Sequence, residues 1–303
     1  MVHFLTEASV RPPIPPQAWW SDPEAFSGDY ERLAEDSNHA FWMFGDWVPN
    51  WGWGTPPGGI LHPMRKPLHA EHVKRSDEVL ARTGATREDF TVTAPDGIKL
   101  HGWKFRAKEP NDDWVLLFHG VSDNRMGMLG QSELLLRHGH NVVAMDARAH
   151  GASEGDMATY GWLERHDTRA VADALFASEK VHHLFALGSS MGAALALQSA
   201  EAEPRIAGVV AEAPFASLRE VSYDYAGLRM SHWLGRTVGR PATWMAISGA
   251  EREGGFRAED ISPERAVAAR SFPVFLICGD KDRNIPCRHS QRIYEAAIGP
   301  KAI

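Results

Sequence analysis

Cysteine is scarce in this sequence, with only Cys278 and Cys287 among 303 residues. A small secreted domain stabilised by a disulfide framework needs more cysteines than that, so this class is excluded. Cys278 ends an apolar segment of strand length, and Cys287 lies in the loop that follows it. We therefore predict two reduced thiols in a cytoplasmic protein rather than a disulfide bond.

Long apolar runs are also missing. No stretch approaches the roughly 20 apolar residues that a membrane-spanning helix needs, so the sequence does not favour a membrane partner. Residues 1–7 show no charged segment followed by an apolar one, which gives no sign of secretion. Removal of a native leader from the chain stays an open alternative.

An excess of positive charge is absent as well. The formal net charge is −7, and no basic stripe interleaved with aromatic residues occurs. A nucleic-acid partner is therefore not predicted. The hydrophobic content of 44% is sufficient for one large α/β core with a smaller additional piece.

Composition divides the chain into four parts. Residues 1–86 form an N-terminal arm that is rich in proline at its start and holds six of the eleven tryptophans. We predict that the arm packs over the body as an extension anchored by aromatic side chains. A subunit contact in a homodimer, a lid over a substrate entrance and a membrane-surface belt stay open. The other parts are a first core segment at 87–215, a helical cap insertion at 216–270 and a second core segment at 271–303.

Strand-like and helix-like segments alternate from about residue 87. Pro95-Asp96-Gly97 is a hairpin signal between two strand-like segments. Five continuous apolar strands follow, which favours a mostly parallel sheet covered by helices on both faces. The predicted strands span residues 89–94, 98–106, 114–118, 142–145, 184–187, 206–211 and 273–278.

The cap insertion interrupts this alternation with a helical stretch rich in bulky side chains. We predict that these side chains line a pocket and make it narrow. Ordinary surface helices are the alternative. The predicted pocket residues are Tyr223, Tyr225, Met230, Trp233 and Trp244.

Gly188-Ser189-Ser190-Met191-Gly192 follows an apolar strand and precedes a helix of small residues. This Gly-x-Ser-x-Gly pattern between a strand and a helix is typical of a nucleophile elbow. The two glycines remove Cβ atoms that would clash in so tight a turn, and the hydroxyl of Ser190 projects at the carboxyl edge of the sheet.

Together with three further motifs, this pattern resembles the serine-hydrolase branch of the α/β-hydrolase superfamily, which includes bacterial esterases and lysophospholipase-like and peptidase-like proteins. The resemblance covers residues 87–303, and the motifs occur in the family order. Ala149 stands where the family usually has glycine. The further motifs are Phe118-His119-Gly120-Val121, the loop at 146–155 beginning Asp146-Ala147-Arg148-Ala149-His150-Gly151, and the loop at 279–286 with Asp280 and Asp282.

The resemblance implies acyl transfer through a covalent acyl-enzyme on Ser190, without a cofactor. It places the triad acid at Asp282, with Asp280 as the alternative and Glu212 as a more distant one. The oxyanion hole would consist of the backbone N–H groups of Met191 and Val121.

Four other histidines of the sequence are not predicted to act in catalysis. His119 and His150 lie in motif loops, where we expect them to support the loop by hydrogen bonding. His182 and His183 open a strand, in which adjacent side chains point to opposite faces, so we do not expect them to bind one metal together. No metal site is predicted.

The catalytic base is the point at which this chain departs from the family. The family places its histidine a few dozen residues beyond the acid, whereas 21 residues follow Asp282 and only His289 lies among them. We expect that the chain lacks the terminal strand, the catalytic histidine and the last helix. The alternatives are His289 as a substitute base and a catalytically incomplete protein.

The expected function is hydrolysis of carboxylic esters with small to medium acyl groups. Thioesters, amides or peptides and peroxy-acid formation use the same triad and stay open. A catalytically incomplete relative that binds a ligand is the alternative from another class. A serine nucleophile excludes the aspartate-dependent epoxide hydrolases and dehalogenases.

Overall fold

A computed structural model describes residues 60–227 and 237–303, which form strands and helices in mixed order. The strands are β1 (Thr86–Thr93), β2 (Lys99–Arg106), β3 (Trp114–Phe118), β4 (Asn141–Met145), β5 (Leu184–Ser189), β6 (Ile206–Glu212), β7 (Val274–Ile277) and β8 (Lys301–Ala302). The helices are α1 (Ala70–Thr83), α2 (Leu129–Arg137), α3 (Glu164–Ser178), α4 (Met191–Ala202), α5 (Leu218–Gly227), α6 (Arg240–Gly254), α7 (Pro263–Ala269) and α8 (Arg288–Ala296).

The eight strands form one sheet in the order β1-β2-β4-β3-β5-β6-β7-β8. β1 and β2 pair antiparallel with each other, and β2 also pairs antiparallel with β4. From β4 onward in this order, each strand pairs parallel with the next: β4 with β3, β3 with β5, β5 with β6, β6 with β7 and β7 with β8. The mostly parallel sheet predicted from the continuous apolar runs is confirmed.

The hairpin between β1 and β2 forms where its turn residues predict it. Gly97 has a φ of +91°, a value that a residue with a side chain rarely adopts. The N–H of Ala94 donates to the carbonyl of Ile98 at 2.9 Å and closes the turn. The register then pairs Thr93 with Lys99 along the sheet edge.

Helices cover both faces of the sheet because its central strands are apolar on both sides. In β3, Val115 and Leu117 pack on one face, whereas Trp114 and Leu116 pack on the other. This alternation is the two-residue period of a strand. All four side chains are buried, which explains why β3 appears in the sequence as a continuous apolar run.

The last part of the N-terminal arm packs on this body. Leu61 is fully buried, and its carbonyl accepts a hydrogen bond from the N–H of Ala158 at 2.7 Å. The hydroxyl of Tyr160 donates to the carbonyl of Ile60 at 2.8 Å. Residues 1–59, with the six tryptophans of the arm, lie outside the described residues, so the homodimer contact stays a prediction.

The prediction of two reduced thiols is wrong. Cys278 and Cys287 form a disulfide, with their Cα atoms 5.4 Å apart. The bond links the end of β7 to the start of α8 and closes the loop at 279–286. The number of cysteines indicates the compartment in which a protein occurs, whereas the fold sets the distance between the two positions. Reduced thiols therefore no longer support the cytoplasmic location, which stays a prediction.

Within residues 60–227 and 237–303, no helix has the length and apolar character needed to cross a membrane.

Candidate active site

Ser190 occupies a sharp turn between β5 and α4. Its φ of 57° and ψ of −118° are strained for a residue with a side chain. The N–H of Ser190 donates to the carbonyl of Glu212 on the neighbouring strand at 2.8 Å, which fixes the turn at the carboxyl edge of the sheet. The strand, turn and helix predicted around this serine are all present.

The two glycines of the motif are required by close backbone approaches. A Cβ atom on Gly192 would overlap the carbonyl group of Phe118 at the end of β3. A Cβ atom on Gly188 would overlap the backbone of Gly192. The start of α4 therefore lies directly against the end of β3 and the loop that follows it.

This contact brings the second motif loop to the serine. A Cβ atom built on Gly120 would lie 3.7 Å from the Cβ of Ser190. Met191 is the first residue of α4, where backbone N–H groups have no acceptor within the helix. The N–H groups of Met191 and Val121 thus lie on the two segments that meet at Ser190, and they stay our predicted oxyanion-hole donors.

His119 supports the loop that carries Val121. Its Nδ1 donates to the carbonyl of Gly120 at 2.8 Å, and its Nε2 accepts from the N–H of Ala147 at 3.0 Å. These two bonds engage both ring nitrogens. His119 therefore ties the loop after β3 to the loop after β4 and has no nitrogen left for a proton from Ser190.

Asp146 organises the third motif loop. Its buried carboxylate accepts from the guanidinium of Arg125 at 2.7 Å and from the N–H of Ala152 at 2.8 Å. Ala149 adopts a φ of 61°, the conformation for which the family motif has glycine. Alanine thus adopts a left-handed backbone conformation here, at the cost of backbone strain.

His150, in the same loop, is fully buried. Its Nδ1 donates to the carbonyl of Arg148 at 2.8 Å, whereas no described residue pairs with its Nε2. Its ring packs edge-on against His119, with 5.1 Å between centroids. Burial, with the neighbouring imidazole, lowers the pKa of His150 to about 3, so the ring is neutral near pH 7.

The fourth motif loop carries the two candidate acids. Oδ1 of Asp282 accepts from the N–H groups of Asn284 at 2.7 Å and Ile285 at 3.0 Å, which orients the carboxylate. Asp280 is exposed to solvent, whereas Asp282 is only partly exposed. These contacts favour Asp282 over Asp280 as the triad acid.

Tyr225 on α5 approaches both predicted catalytic side chains. Its hydroxyl is hydrogen-bonded to Ser190, and the charge of Asp282 acts on it. Burial and this charge raise the pKa of Tyr225 to about 12, so the phenol is protonated at neutral pH. The sequence placed Tyr225 in a pocket but gave no signal of a direct contact with Ser190.

The other predicted pocket residues lie in different surroundings from Tyr225, or outside the described residues. Tyr223 is buried, and the guanidinium of Arg240 lies 5.3 Å from its ring centroid. Trp244 is 55% exposed on α6, so the structure gives no support to its placement in a closed pocket. Met230 and Trp233 lie outside the described residues.

His289 does not fit the role of substitute base. Its side chain is fully buried at the start of α8. Nε2 donates to Oδ2 of Asp224 at 2.8 Å, and Nδ1 accepts from the N–H of Ala216 at 3.2 Å. Both nitrogens are therefore engaged, and the sequence missed this because Asp224 is 65 positions away.

At the opposite edge of the sheet, His182 and His183 both lie close to Asp113. Both lie before β5 rather than within it, so the alternation of a strand does not separate them. Their Nδ1 atoms lie 3.4 Å and 2.9 Å from Oδ1 of Asp113. The alternation argument against a shared metal therefore does not hold, and one ligand atom from each of Asp113, His182 and His183 lies within 4.8 Å of the others.

Comparison with known families gives a match over the region that holds the predicted nucleophile. The profile of the family described as "Serine aminopeptidase, S33" matches residues 109–260. This range includes the loop after β3, the Ser190 turn and most of the predicted cap insertion.

Curated relatives extend the similarity over more of the chain. YqkD of Bacillus subtilis, named as an uncharacterized protein, is 30% identical over 221 residues, which are 71% of this chain and 69% of YqkD. YfhR of Escherichia coli strain K12, also named as uncharacterized, is 25% identical over 236 residues, 75% of this chain and 74% of YfhR.

Solved structures show the same fold. The Pyrococcus furiosus esterase Pf2001 has a TM-score of 0.61 and 24% identity, over 82% of this chain and 88% of the esterase. Acetyl xylan esterase 1 from Thermoanaerobacterium has a TM-score of 0.54 and 19% identity, over 83% and 92% of the two chains. The fold, the profile and the relatives agree, and the chain belongs to the serine aminopeptidase S33 family of hydrolases with an α/β-hydrolase fold.

Proposed function

We propose that the protein hydrolyses carboxylic esters of small to medium acyl groups through an acyl-enzyme on Ser190. The strained turn at Ser190 carries this proposal, because it holds a hydroxyl at the carboxyl edge of the sheet between two segments of backbone N–H groups. Strain of this kind persists only where the surrounding structure enforces it, and it concentrates at reactive positions.

The proposed reaction begins with attack of Ser190 Oγ on the ester carbonyl. The carbonyl oxygen becomes an oxyanion, which the N–H groups of Met191 and Val121 would stabilise. The C–O bond to the alcohol oxygen breaks, and this oxygen takes up the proton that Ser190 lost, so the alcohol leaves. Water then attacks the acyl-enzyme, a proton from the water returns to Ser190 Oγ, and the carboxylic acid is released. Asp282 would hold its charge near Ser190 to orient a protonated base.

Proton transfer from Ser190 needs a base with a free lone pair and a pKa high enough to take up the proton. His119 and His289 have both nitrogens engaged, and His150 is buried with a low pKa. The phenol of Tyr225 is protonated near pH 7 and cannot accept a proton. We therefore assign the base to none of these four residues.

The preference for short acyl chains is supported by Tyr225. Its hydrogen bond to Ser190 places a bulky ring against the nucleophile, where it limits the space for an acyl group. Amides and peptides form the second candidate class. The family description as aminopeptidase favours them, as does the structural similarity to an acylaminoacyl peptidase of Pyrococcus horikoshii, at 15% identity and a TM-score of 0.55.

A catalytically incomplete relative that binds a small ligand is the third candidate. The observation that favours it is the engagement of both His289 nitrogens, which leaves that histidine without a role as base. A protein of this kind would still present the N–H groups around Ser190 to a ligand.

Labelling by a fluorophosphonate probe tests the proposal. We expect covalent labelling of the wild type, loss in Ser190→Ala and retention in Ser189→Ala, which changes the neighbouring serine. Turnover of p-nitrophenyl acetate and butyrate should fall by about 10⁴-fold or more in Ser190→Ala. Hydrolysis of peptide p-nitroanilides without esters would favour the peptidase, and absence of both labelling and turnover would overturn the proposal.

A further inference from the structure

Asp113, His182 and His183 form a cluster at the amino edge of the sheet, remote from Ser190. Asp113 precedes β3 and the two histidines precede β5, and β3 and β5 are neighbours in the sheet. Ser190 lies seven positions beyond His183 along β5, which corresponds to roughly 20 Å at the rise of a strand. The cluster is therefore independent of the predicted acyl-transfer chemistry.

The distances in the cluster match those between ligands of one metal ion. Oδ1 of Asp113 lies 2.9 Å from Nδ1 of His183 and 3.4 Å from Nδ1 of His182. Nitrogen and oxygen ligands bind zinc at about 2.0–2.2 Å, which places neighbouring ligand atoms about 2.9–3.5 Å apart in octahedral or tetrahedral geometry. One ligand atom from each of the three residues lies within 4.8 Å of the other two, so the cluster is compact enough for the three side chains to share one ion.

Backbone hydrogen bonds hold the three residues in place. The N–H of His182 donates to the carbonyl of Asp112 at 2.8 Å, and the N–H of Trp114 donates to the carbonyl of His183 at 2.9 Å. These bonds fasten the segment before β3 to the segment before β5 on both sides of the cluster. The ligand set is thus built before any ion arrives, which lowers the entropic cost of binding.

Solvent access and surrounding polarity also suit a metal ion. The side chain of His182 is 65% exposed, whereas those of His183 and Asp113 are 6% and 13% exposed. An ion would thus rest on two nearly buried ligands and keep a path to water for its remaining positions. A third imidazole, that of His140, lies 4.0 Å from the other oxygen of Asp113 and is held by the amide of Asn111 at 3.2 Å.

We propose that Asp113, His182 and His183 bind one divalent transition-metal ion of the zinc class. Imidazole nitrogen and carboxylate oxygen are donors that such ions prefer, and two histidines with one carboxylate leave positions for water. The ion would join the starts of β3 and β5 and stabilise the fold without taking part in the reaction at Ser190.

The test uses untagged, metal-free full chain titrated with Zn²⁺ and with Co²⁺. We expect one Zn²⁺ per chain by calorimetry, visible absorption bands when Co²⁺ binds, and a melting temperature raised by Zn²⁺. His182→Ala should weaken Zn²⁺ binding by more than about 10- to 100-fold. It removes an exposed side chain, so its melting temperature without metal should equal that of the wild type.

Two further variants keep the result unambiguous. Asp113→Asn keeps the size of the side chain and should also abolish the Co²⁺ bands, whereas His166→Ala removes an exposed histidine on α3 and should bind Zn²⁺ as the wild type does. Absence of stoichiometric binding, or binding that survives both His182→Ala and Asp113→Asn, would overturn the proposal. Fluorophosphonate labelling of Ser190 should be equal in all four proteins with or without metal, which separates this site from the proposed function.

Discussion

The Nε2 atom of His289 lies 2.8 Å from Oδ2 of Asp224, and neither side chain is exposed to solvent. The guanidinium of Arg288 also contacts this carboxylate. Because Asp224 precedes Tyr225 on α5 and His289 begins α8, the pair fixes the helix that brings Tyr225 to Ser190. Loss of a partner would leave the buried carboxylate of Asp224 with an uncompensated charge, which lowers stability. We therefore expect the contact to hold α5 in position.

Replacement of His289 distinguishes positioning from catalysis. His289→Ala should lower the free energy of unfolding by about 2–3 kcal/mol, because a charged hydrogen bond is lost in the interior. His289→Gln can place its amide N–H near the position of Nε2 and should recover part of this loss. Denaturant unfolding of both variants measures the effect.

Activity of the same variants provides the decisive comparison. If His289 only positions α5, the rate of ester hydrolysis per folded molecule in His289→Gln should stay within a few fold of the wild type. A loss of about 10⁴-fold in folded His289→Gln would instead identify His289 as the base.

Tyr225 should set the acyl-chain preference. Tyr225→Ala removes the ring at Ser190 and should shift the preferred p-nitrophenyl ester to longer acyl groups. Each methylene accommodated in an apolar pocket is worth about 1 kcal/mol or more, so the ratio of kcat/KM for octanoate over acetate should rise at least about tenfold. Trp244→Ala, which removes an exposed aromatic side chain on α6, should leave the ratio unchanged. An unchanged ratio in Tyr225→Ala would show that another group limits the pocket.

The disulfide should stabilise the loop that carries Asp282. Linking Cys278 and Cys287 closes a loop across nine sequence positions, which stabilises a fold by about 2–3 kcal/mol through the entropy of the unfolded chain. We expect dithiothreitol to lower the free energy of unfolding by that amount in the wild type. Cys278→Ser/Cys287→Ser should start at the lower value and not respond to dithiothreitol. Two titratable thiols in denatured, unreduced protein would contradict the bond.

Local patterns predicted most of the sheet and the Ser190 turn, because both follow from short-range constraints. The apolar run of β3 and the glycines around Ser190 report directly on burial and on close backbone approach. Contacts between distant segments could not be predicted in this way. The hydrogen bond of Tyr225 to Ser190 and that of His289 to Asp224 depend on how α5 and α8 pack on the sheet.

The errors in the sequence analysis have the same physical origin. The expectation for His182 and His183 treats them as the start of a strand, whereas the predicted strand and β5 both begin at residue 184, so the two-residue alternation of a strand does not apply to them. The thiols were assigned from the statistics of compartments. Their pairing depends on the path of the loop at 279–286, which brings the two Cα atoms to 5.4 Å.

His150 should make the fold sensitive to mild acid. In the folded protein its pKa is lowered to about 3, whereas in the unfolded chain it has the ordinary value of 6.5. Between these values the unfolded chain binds a proton that the folded protein does not, so stability falls as the pH decreases below about 6.5. From pH 7 to pH 5 the expected contribution is a loss of about 2 kcal/mol.

His150→Asn isolates this contribution, because the amide N–H of asparagine can replace the Nδ1–H that donates to Arg148 and does not titrate. We expect the free energy of unfolding of His150→Asn to fall by about 2 kcal/mol less than that of the wild type between pH 7 and pH 5. His138→Asn, which changes an exposed histidine after α2, controls for the removal of an imidazole and should follow the wild-type curve. Parallel curves for His150→Asn and the wild type would mean that His150 takes up its proton equally in the folded and unfolded states, and that burial does not keep this ring neutral.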